Sequence, residues 1–421
     1  MTTMSRVSRR RFLHLAGAMA GAAAFPLPLR AQAKTIKVGV VSPITGAMAE
    51  VGGDCRLGAQ LAAEAINAAG GIKSMGGVKL ELLLADSETK VEVARSEADR
   101  LIWAGAQLLT GGFHSAHVAA ISSLAQQRRV PYVIDISGVD AITANIAKSV
   151  REGQQKVQYV YRNFPGLVTF GRNAVKYMTE IFREAGVSPK RVVVMYSNDL
   201  FGKNQSAGFE AAVKALNPGF EIVEMIAYPE TASDLSTEMS RAKALRPDII
   251  APVTRPVTAI LLLEELAKQR VDVMGVISPG APGLYETRQI EQLKQRIEYV
   301  MDNVPWPNVK SAAVQKIAAE YTKRTGKLFD TSASYTYEAV LVIADTLERG
   351  KSAEPDAFVD ALKQTNFSGG VNVATGPIKF NETGDNPNAS TAMIQILGQK
   401  PRVVWPTDAA EQAFVFPRPK A

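Results

Sequence analysis

The segment AQLLTGGFHSAHVAAISSLAQQR, Ala106 to Arg128, decides how the chain is read. Ala106 to Thr110 is a short apolar run of the kind that forms a buried parallel strand. His117 to Arg128 carries apolar residues at helical spacing. Two glycines, His114 and Ser115 lie between them. A strand, a glycine-rich turn and a helix start, in that order, aim free backbone N–H groups at one point and favour an anion there. His114 and His117, three residues apart, could also share a face as part of a metal site, serve as a base beside Ser115, or line a pocket.

The same unit recurs on both sides. Ile36 to Val41, Val78 to Ala85 and Pro131 to Ile136 read as strands, with helices at Leu57 to Ala69 and Val91 to Ala104. Gly70-Gly71 suits a left-handed helix end. The alternation restarts at Tyr159. Strands are expected at Arg191 to Tyr196, Phe220 to Tyr228, Asp248 to Val253 and Val271 to Ile277, and helices at Gly202 to Leu216, Leu235 to Leu245 and Val257 to Lys268. Such alternation implies an α/β fold of two lobes, each a doubly wound parallel sheet. No low-complexity tract or short repeat interrupts it.

The first 33 residues read differently. Arg9, Arg10 and Arg11 precede Phe12 and Leu13, then an Ala- and Gly-rich run, then Ala31-Gln32-Ala33. This is the pattern of a cleaved secretory signal, and Ser8 to Leu13 resembles a twin-arginine export motif. The expectation is a soluble protein of the bacterial periplasm. The formal charge of +7 includes Arg6, Arg9, Arg10, Arg11 and Arg30, with no acid before Lys34, so about +2 remains after cleavage. That gives no warrant for nucleic-acid binding. The single cysteine, Cys55, cannot pair within the chain and is expected at a helix start.

In open α/β sheets, ligands sit beyond the carboxyl ends of the strands. Those positions are Ser42 to Gly46, Asp86-Ser87, Gly111 to Ser115, Asp135 to Gly138, Ser197 to Gly202, Thr254 to Pro256 and Ser278 to Ala281. They are rich in glycine and hydroxyls and poor in charge, which suits a small polar ligand.

In order along the chain, VVSPITG, GGDCRLGAQLAAEAINAAGGI, LLLADSETK, GGFHSAH, VPYVIDIS, VVVMYSNDLFGKN and DLSTEMSRAKALRPDIIAP resemble the type I periplasmic binding proteins. The likeness is closest to the leucine/isoleucine/valine-binding branch of ABC importers and covers essentially all of the chain after residue 33. It implies two lobes joined by a three-strand hinge, with lobe I at 34–158 and 295–372 and lobe II at 159–294 and 373–421. It further implies a monomer that closes on a small-molecule ligand (an amino acid, an aromatic or aliphatic acid, or an amide) and hands it to an inner-membrane permease. By position it assigns the ligand's carboxylate to Ser115, Ser137 and the amides of Ala116, His117 and Gly138. Phe201, Arg255 and Ala281 would close over the other end.

The chain departs from that pattern in ways that bear on the ligand. The turn Ser278 to Gly283 has no carboxylate before Glu286, where amino-acid binders place an acid against the ammonium. A buried ammonium without a counter-charge is costly. Arg255 stands where the family often has a tyrosine, Phe201-Gly202 replaces Tyr-Gly, and Val51 replaces a shielding aromatic. These favour a carboxylate lacking an amine, or a neutral amide.

An enzyme is not expected, and neither cofactor nor metal is implied. A zinc site needs three or four ligands, and Asp86, Asp135 and Asp199 are not at any known spacing to the histidines. GGFHSAH is not a G-x-S-x-G elbow, and no phosphate-binding glycine motif is present. The three aspartates are read as helix caps or hinge elements. The rival functions are a twin-arginine exported hydrolase and a two-lobed sensor that does not feed transport.

Overall fold

The computed structural model describes residues 35–419, so the expected export signal lies outside the described residues. Strands β1 (Thr35–Ser42), β2 (Lys79–Asp86), β3 (Leu108–Gly111), β4 (Tyr132–Ile134) and β5 (Val160–Arg162) form one sheet. Its order is β2-β1-β3-β4-β5 and every pairing is parallel. Val38 sits opposite Leu82 and Leu108 in register. Helices α1 (Ala49–Ala68), α2 (Val91–Trp103), α3 (Ser115–Arg128) and α4 (Asp140–Arg151) connect these strands.

The second sheet contains β6 (Arg191–Ser197), β7 (Glu221–Tyr228), β8 (Ile249–Val253), β9 (Gly275–Ser278), β10 (Met301–Val304), β11 (Ala392–Ile396) and β12 (Pro401–Trp405). Its order is β12-β11-β10-β9-β8-β6-β7. The first five in chain order pair in parallel, and β11 and β12 add an antiparallel edge. Around it lie α5 (Leu167–Glu184), α6 (Leu200–Leu216), α7 (Ser236–Ala244), α8 (Pro256–Lys268) and α9 (Thr287–Leu293). Helices α10 (Ala312–Thr325), α11 (Thr331–Gly350) and α12 (Pro355–Lys363) return to the first sheet, where their apolar faces share a core with β1 and α1.

The doubly wound expectation holds for both sheets, with three differences. Helix α1 begins at Ala49, eight residues before the apolar spacing suggested, so Cys55 lies buried inside it. Gly52-Gly53 hid this start, because glycine disfavours helix interiors by about 1 kcal/mol. Here glycine serves packing: a Cβ on Gly52 would come within 2.2 Å of the Pro43 carbonyl oxygen, and one on Gly58 within 2.1 Å of that of Ala333. Strand β9 is shorter than expected, since the Arg418 side chain takes up the carbonyls of Val271 and Val273.

The third difference is where the chain crosses between sheets. Val160 pairs with Tyr132 in the first sheet, and Met301 pairs with Ile277 in the second. The first two crossings therefore follow Arg162 and Val304, not residues 158 and 294. The third lies near Asn386 to Thr391, beyond residue 372, because Asp385 still bridges to Arg162. Asparagines fasten these crossings: Asn163 donates to Glu338 at 2.7 Å, Asn386 to Asn163 at 3.1 Å, and Asn303 to the Phe170 and Pro279 carbonyls.

Candidate functional site

The carboxyl ends of both sheets face one cavity of about 50 Å³. Phe113, Ser115, Ile136, Ser137 and Gly138 line it from the first sheet's loops, and Phe201, Arg255, Gly280, Ala281, Pro282 and Tyr285 from the second's. Phe164, Phe170, Val304, Pro305 and Thr331 complete it from the crossings and their flanks. Two larger clefts lie elsewhere. One, of about 320 Å³, sits behind the hinge around Glu338 and Asn372; the other, of about 270 Å³, lies between Gly46–Val51 and helices α8 and α9. The smallest of the three is the one built from strand-end loops, where this topology places ligands.

Three successive residues, the last of β3 and the two after it, have positive φ: Gly111 (97°), Gly112 (115°) and Phe113 (55°). Glycine accommodates this, and a Cβ on Gly112 would strike Val118 and the Tyr132 hydroxyl. Phe113 carries the strain with a full side chain, against the cavity. The turn delivers Ser115 as the first residue of α3, its Oγ 3.1 Å from that of Ser137. One hydroxyl from each of two loops thus meets at the cavity wall.

Six of the eight expected residues line this cavity: Ser115, Ser137, Gly138, Phe201, Arg255 and Ala281. Ala116 and His117 do not. The Ala116 amide already donates to His114 Nδ1 at 3.3 Å, so His114 caps α3. His117 is buried behind the wall with its Nδ1 unpartnered, its ring 4.8 Å from that of His114. Burial, then His114 and Arg255, push the His117 ring down to about 3, so it is neutral at ordinary pH.

The second sheet brings charge. Arg255 is 5 % exposed; its Nε donates to Asp199 at 2.7 Å, and its guanidinium lies 4.7 Å over the Phe201 ring. Its Nη2 has no partner. Asp199 also caps α6, accepting from the Gly202 amide at 2.8 Å, and accepts from the Ser197 hydroxyl. Burial alone would raise the Asp199 carboxyl, but Arg255 and these donors outweigh it and hold it below its usual value. Glu230, in the turn after β7, lies 3.0 Å from His114 Nε2 and 3.6 Å from Arg255 Nε. His114, Asp199 and Glu230 each place one ligand atom within 4.8 Å of the others, close enough for a divalent cation. The Arg255 guanidinium already occupies that acidic pair, and its charge opposes a metal ion there.

The other two aspartates expected as caps or hinge elements cap no helix: α2 and α4 start at Lys90 and Val139 without side-chain caps, and Asp86 and Asp135 pin neighbouring segments instead. Asp86 accepts from the Ile44 and Thr45 amides and from Thr45 Oγ1. Asp135 accepts from Thr336 and the Ile136 amide, and burial raises its carboxyl to about 6. Behind the turn Ser278 to Gly283 sit two more buried acids. Asp302 accepts from the Ala281 amide, and Glu286 from the amides of Gly283 and Tyr285. Burial raises Glu286 to about 8 and Asp302 well above the carboxylate range. Neither lines the cavity.

Sequence reasoning missed Glu230 and the structural use of His114. The rule that nominated the other loops, position just after a strand, would have found Glu230 beyond Tyr228. Trp103 is exposed, while Trp306 packs edge-on against Tyr285.

A family described as periplasmic binding protein matches residues 35–400. The Leu/Ile/Val-binding protein homolog 8 of Brucella suis biovar 1 is 25% identical over 405 residues, covering 94% of this chain and 96% of that protein. Among solved structures, a leucine binding protein from Thermotoga maritima superposes with a TM-score of 0.75 at 21% identity, covering 88% of this chain and 97% of that one. A solute binding protein of an ABC transporter from Rhodopseudomonas palustris, in complex with 3,4-dihydroxybenzoic acid, gives 0.71 at 20% identity, with 87% and 95% covered.

Proposed function

The chain belongs to the periplasmic binding protein family, and we propose that it is the solute receptor of an ABC importer, closing two lobes over a small carboxylate that lacks an amine. The observation that carries this reading is a cavity lining that holds a buried guanidinium and serine hydroxyls but no carboxylate. Ser115 and Ser137 offer hydroxyls beside the α3 N-terminus, and the buried Arg255 offers an unpartnered Nη2. Among the described residues no acid lines the cavity, so an ammonium would enter without a counter-charge.

The apolar wall fits the other end of such a ligand. Phe113, Phe164, Phe170, Phe201 and Tyr285 surround it, and Phe164 and Phe170 lie 5.7 Å apart between centroids. Aromatic side chains pack well against a ring or branched chain. The narrow cavity favours a compact ligand. Among the structural neighbours, one is a leucine binding protein and another holds 3,4-dihydroxybenzoic acid; this wall suits the second kind of ligand better.

Each lobe would hold part of the ligand, so binding favours the closed form by the contacts that only closure brings. With several hydrogen bonds and an apolar body buried, micromolar affinity, about −8 kcal/mol, is in reach. The closed receptor would then dock on the permease. Native mass spectrometry of the protein purified from its own cells tests the ligand class: a co-purifying monocarboxylic acid without nitrogen supports it, and a co-purifying amino acid contradicts it.

A further inference from the structure

Glu230 has no role in holding the ligand in the proposed function, yet its carboxylate touches one group from the loops of each sheet, His114 and Arg255. Its Oε1 is 3.0 Å from Nε2 of His114, in the β3–α3 loop, and 3.6 Å from Nε of Arg255, at the start of α8. The tautomer of His114 is set by its own turn. Nδ1 accepts the Ala116 N–H, so the ring's proton is on Nε2 and points across the cleft. The side chain of His114 is 8% exposed and that of Glu230 32%, so the contact is partly shielded from water. His117, packed against the His114 ring and held neutral, adds no competing charge.

Arg255 answers to the same carboxylate. Its Nε already bonds Asp199 at 2.7 Å, and Glu230 is its second acid. If the lobes part, Glu230 loses His114 and only Arg255 remains for it. We propose that His114 and Glu230 form an interlobe clasp, which stabilises the closed form and holds Glu230 on the Nε side of Arg255, leaving Nη2 free to meet the ligand. Glu230 is thus a positioning residue. The second half of the proposal rests on Arg255 being a ligand contact; the clasp itself does not.

The test separates the two. Nitroxide labels at Ser96→Cys on α2 and Ala211→Cys on α6, both exposed, report the distance between lobes in the full, ligand-free chain. The clasp predicts a measurable short-distance population in the parent. Glu230→Ala reduces it about fivefold, and Glu230→Gln, which keeps an acceptor for His114, reduces it less. His114→Asn matches Glu230→Ala while still capping α3, since asparagine is a good N-cap. The double variant loses no more than either single one, as expected for partners in one contact. A distance distribution unchanged in both Glu230→Ala and His114→Asn, or no short-distance population in the parent, overturns the clasp. If the distribution shifts as predicted while Arg255→Met binds benzoate as the parent does, the clasp stands and Arg255 is not a ligand contact.

Discussion

The loops beyond the first sheet and those beyond the second surround one cavity with different chemistry. The first supplies hydroxyls and a helix start: Ser115, Ser137 and Gly138, with no ionic side chain against the cavity. The second supplies a buried ionic group, Arg255 with Asp199 and Glu230, roofed over Phe201. Hydroxyls and a fixed turn need no rearrangement to receive an anion. A buried ion pair is different, because desolvation can exceed its Coulomb gain, and it contributes little to stability on that account. In the proposed function it serves the ligand and closure instead.

Removing the cation breaks this contrast most severely. Arg255→Met takes the charge-assisted donor and leaves Asp199 buried without its partner. Affinity for the acid ligand should fall about 100-fold by calorimetry, in line with roughly 3 kcal/mol of lost hydrogen bonding. The melting temperature should also fall, and adding Asp199→Asn should restore part of it. An Arg255→Met protein that binds within threefold of the parent shows that the ionic side plays no part in recognition.

The first lobe should respond less. Ser115→Ala removes one neutral donor, at a cost of about 1–2 kcal/mol, or roughly 5- to 30-fold in affinity. The melting temperature should hardly change, because Ser115 bonds only Ser137 among the described side chains. A change in affinity below threefold would place the ligand's carboxylate elsewhere.

The acids behind the second-lobe turn are the next measure. Burial lifts Glu286 from 4.5 to about 8, so between those values the folded chain holds the proton more tightly than the unfolded one. Stability from this group is present below pH 4.5 and is lost as pH rises toward 8. Glu286→Gln should therefore raise the melting temperature at pH 8 more than at pH 5. Equal shifts at both values mean that the carboxyl is ionised in the fold, and the turn then has a charge that an ammonium could use.

The smallest effect is expected far from both loops. Trp103 is 76% exposed, and Trp103→Ser should change stability by no more than about 0.5 kcal/mol and affinity not at all.

The sheets were legible because a parallel strand buried on both faces leaves an unbroken apolar run, as in Arg191 to Tyr196 and Ile36 to Val41. The start of α1 was not, because Gly52-Gly53 reads as a helix breaker, and the close approach of Gly52 to the Pro43 carbonyl leaves no mark in helical spacing. The first two crossings were placed 4 and 10 residues early, since β5 is three residues long and β10 four and neither leaves a long apolar run. Six of the proposed site residues were legible because strand ends mark the cavity in this topology. The Ala116 amide was lost to His114, a local competition that spacing does not reveal. The contact between His114 and Glu230 joins residues 116 apart and leaves no local pattern.

The central claim, recognition of a carboxylate without an amine, is tested most directly by calorimetry on a matched pair. Leucine and 4-methyl-2-oxopentanoate share a carboxylate and a side chain and differ only at C2, where an oxo group replaces the ammonium and its hydrogen. The account predicts that the oxo acid binds at least about 100-fold tighter than leucine, the scale of an ammonium buried without an acid. Leucine binding as tightly as the oxo acid, or tighter, would contradict it.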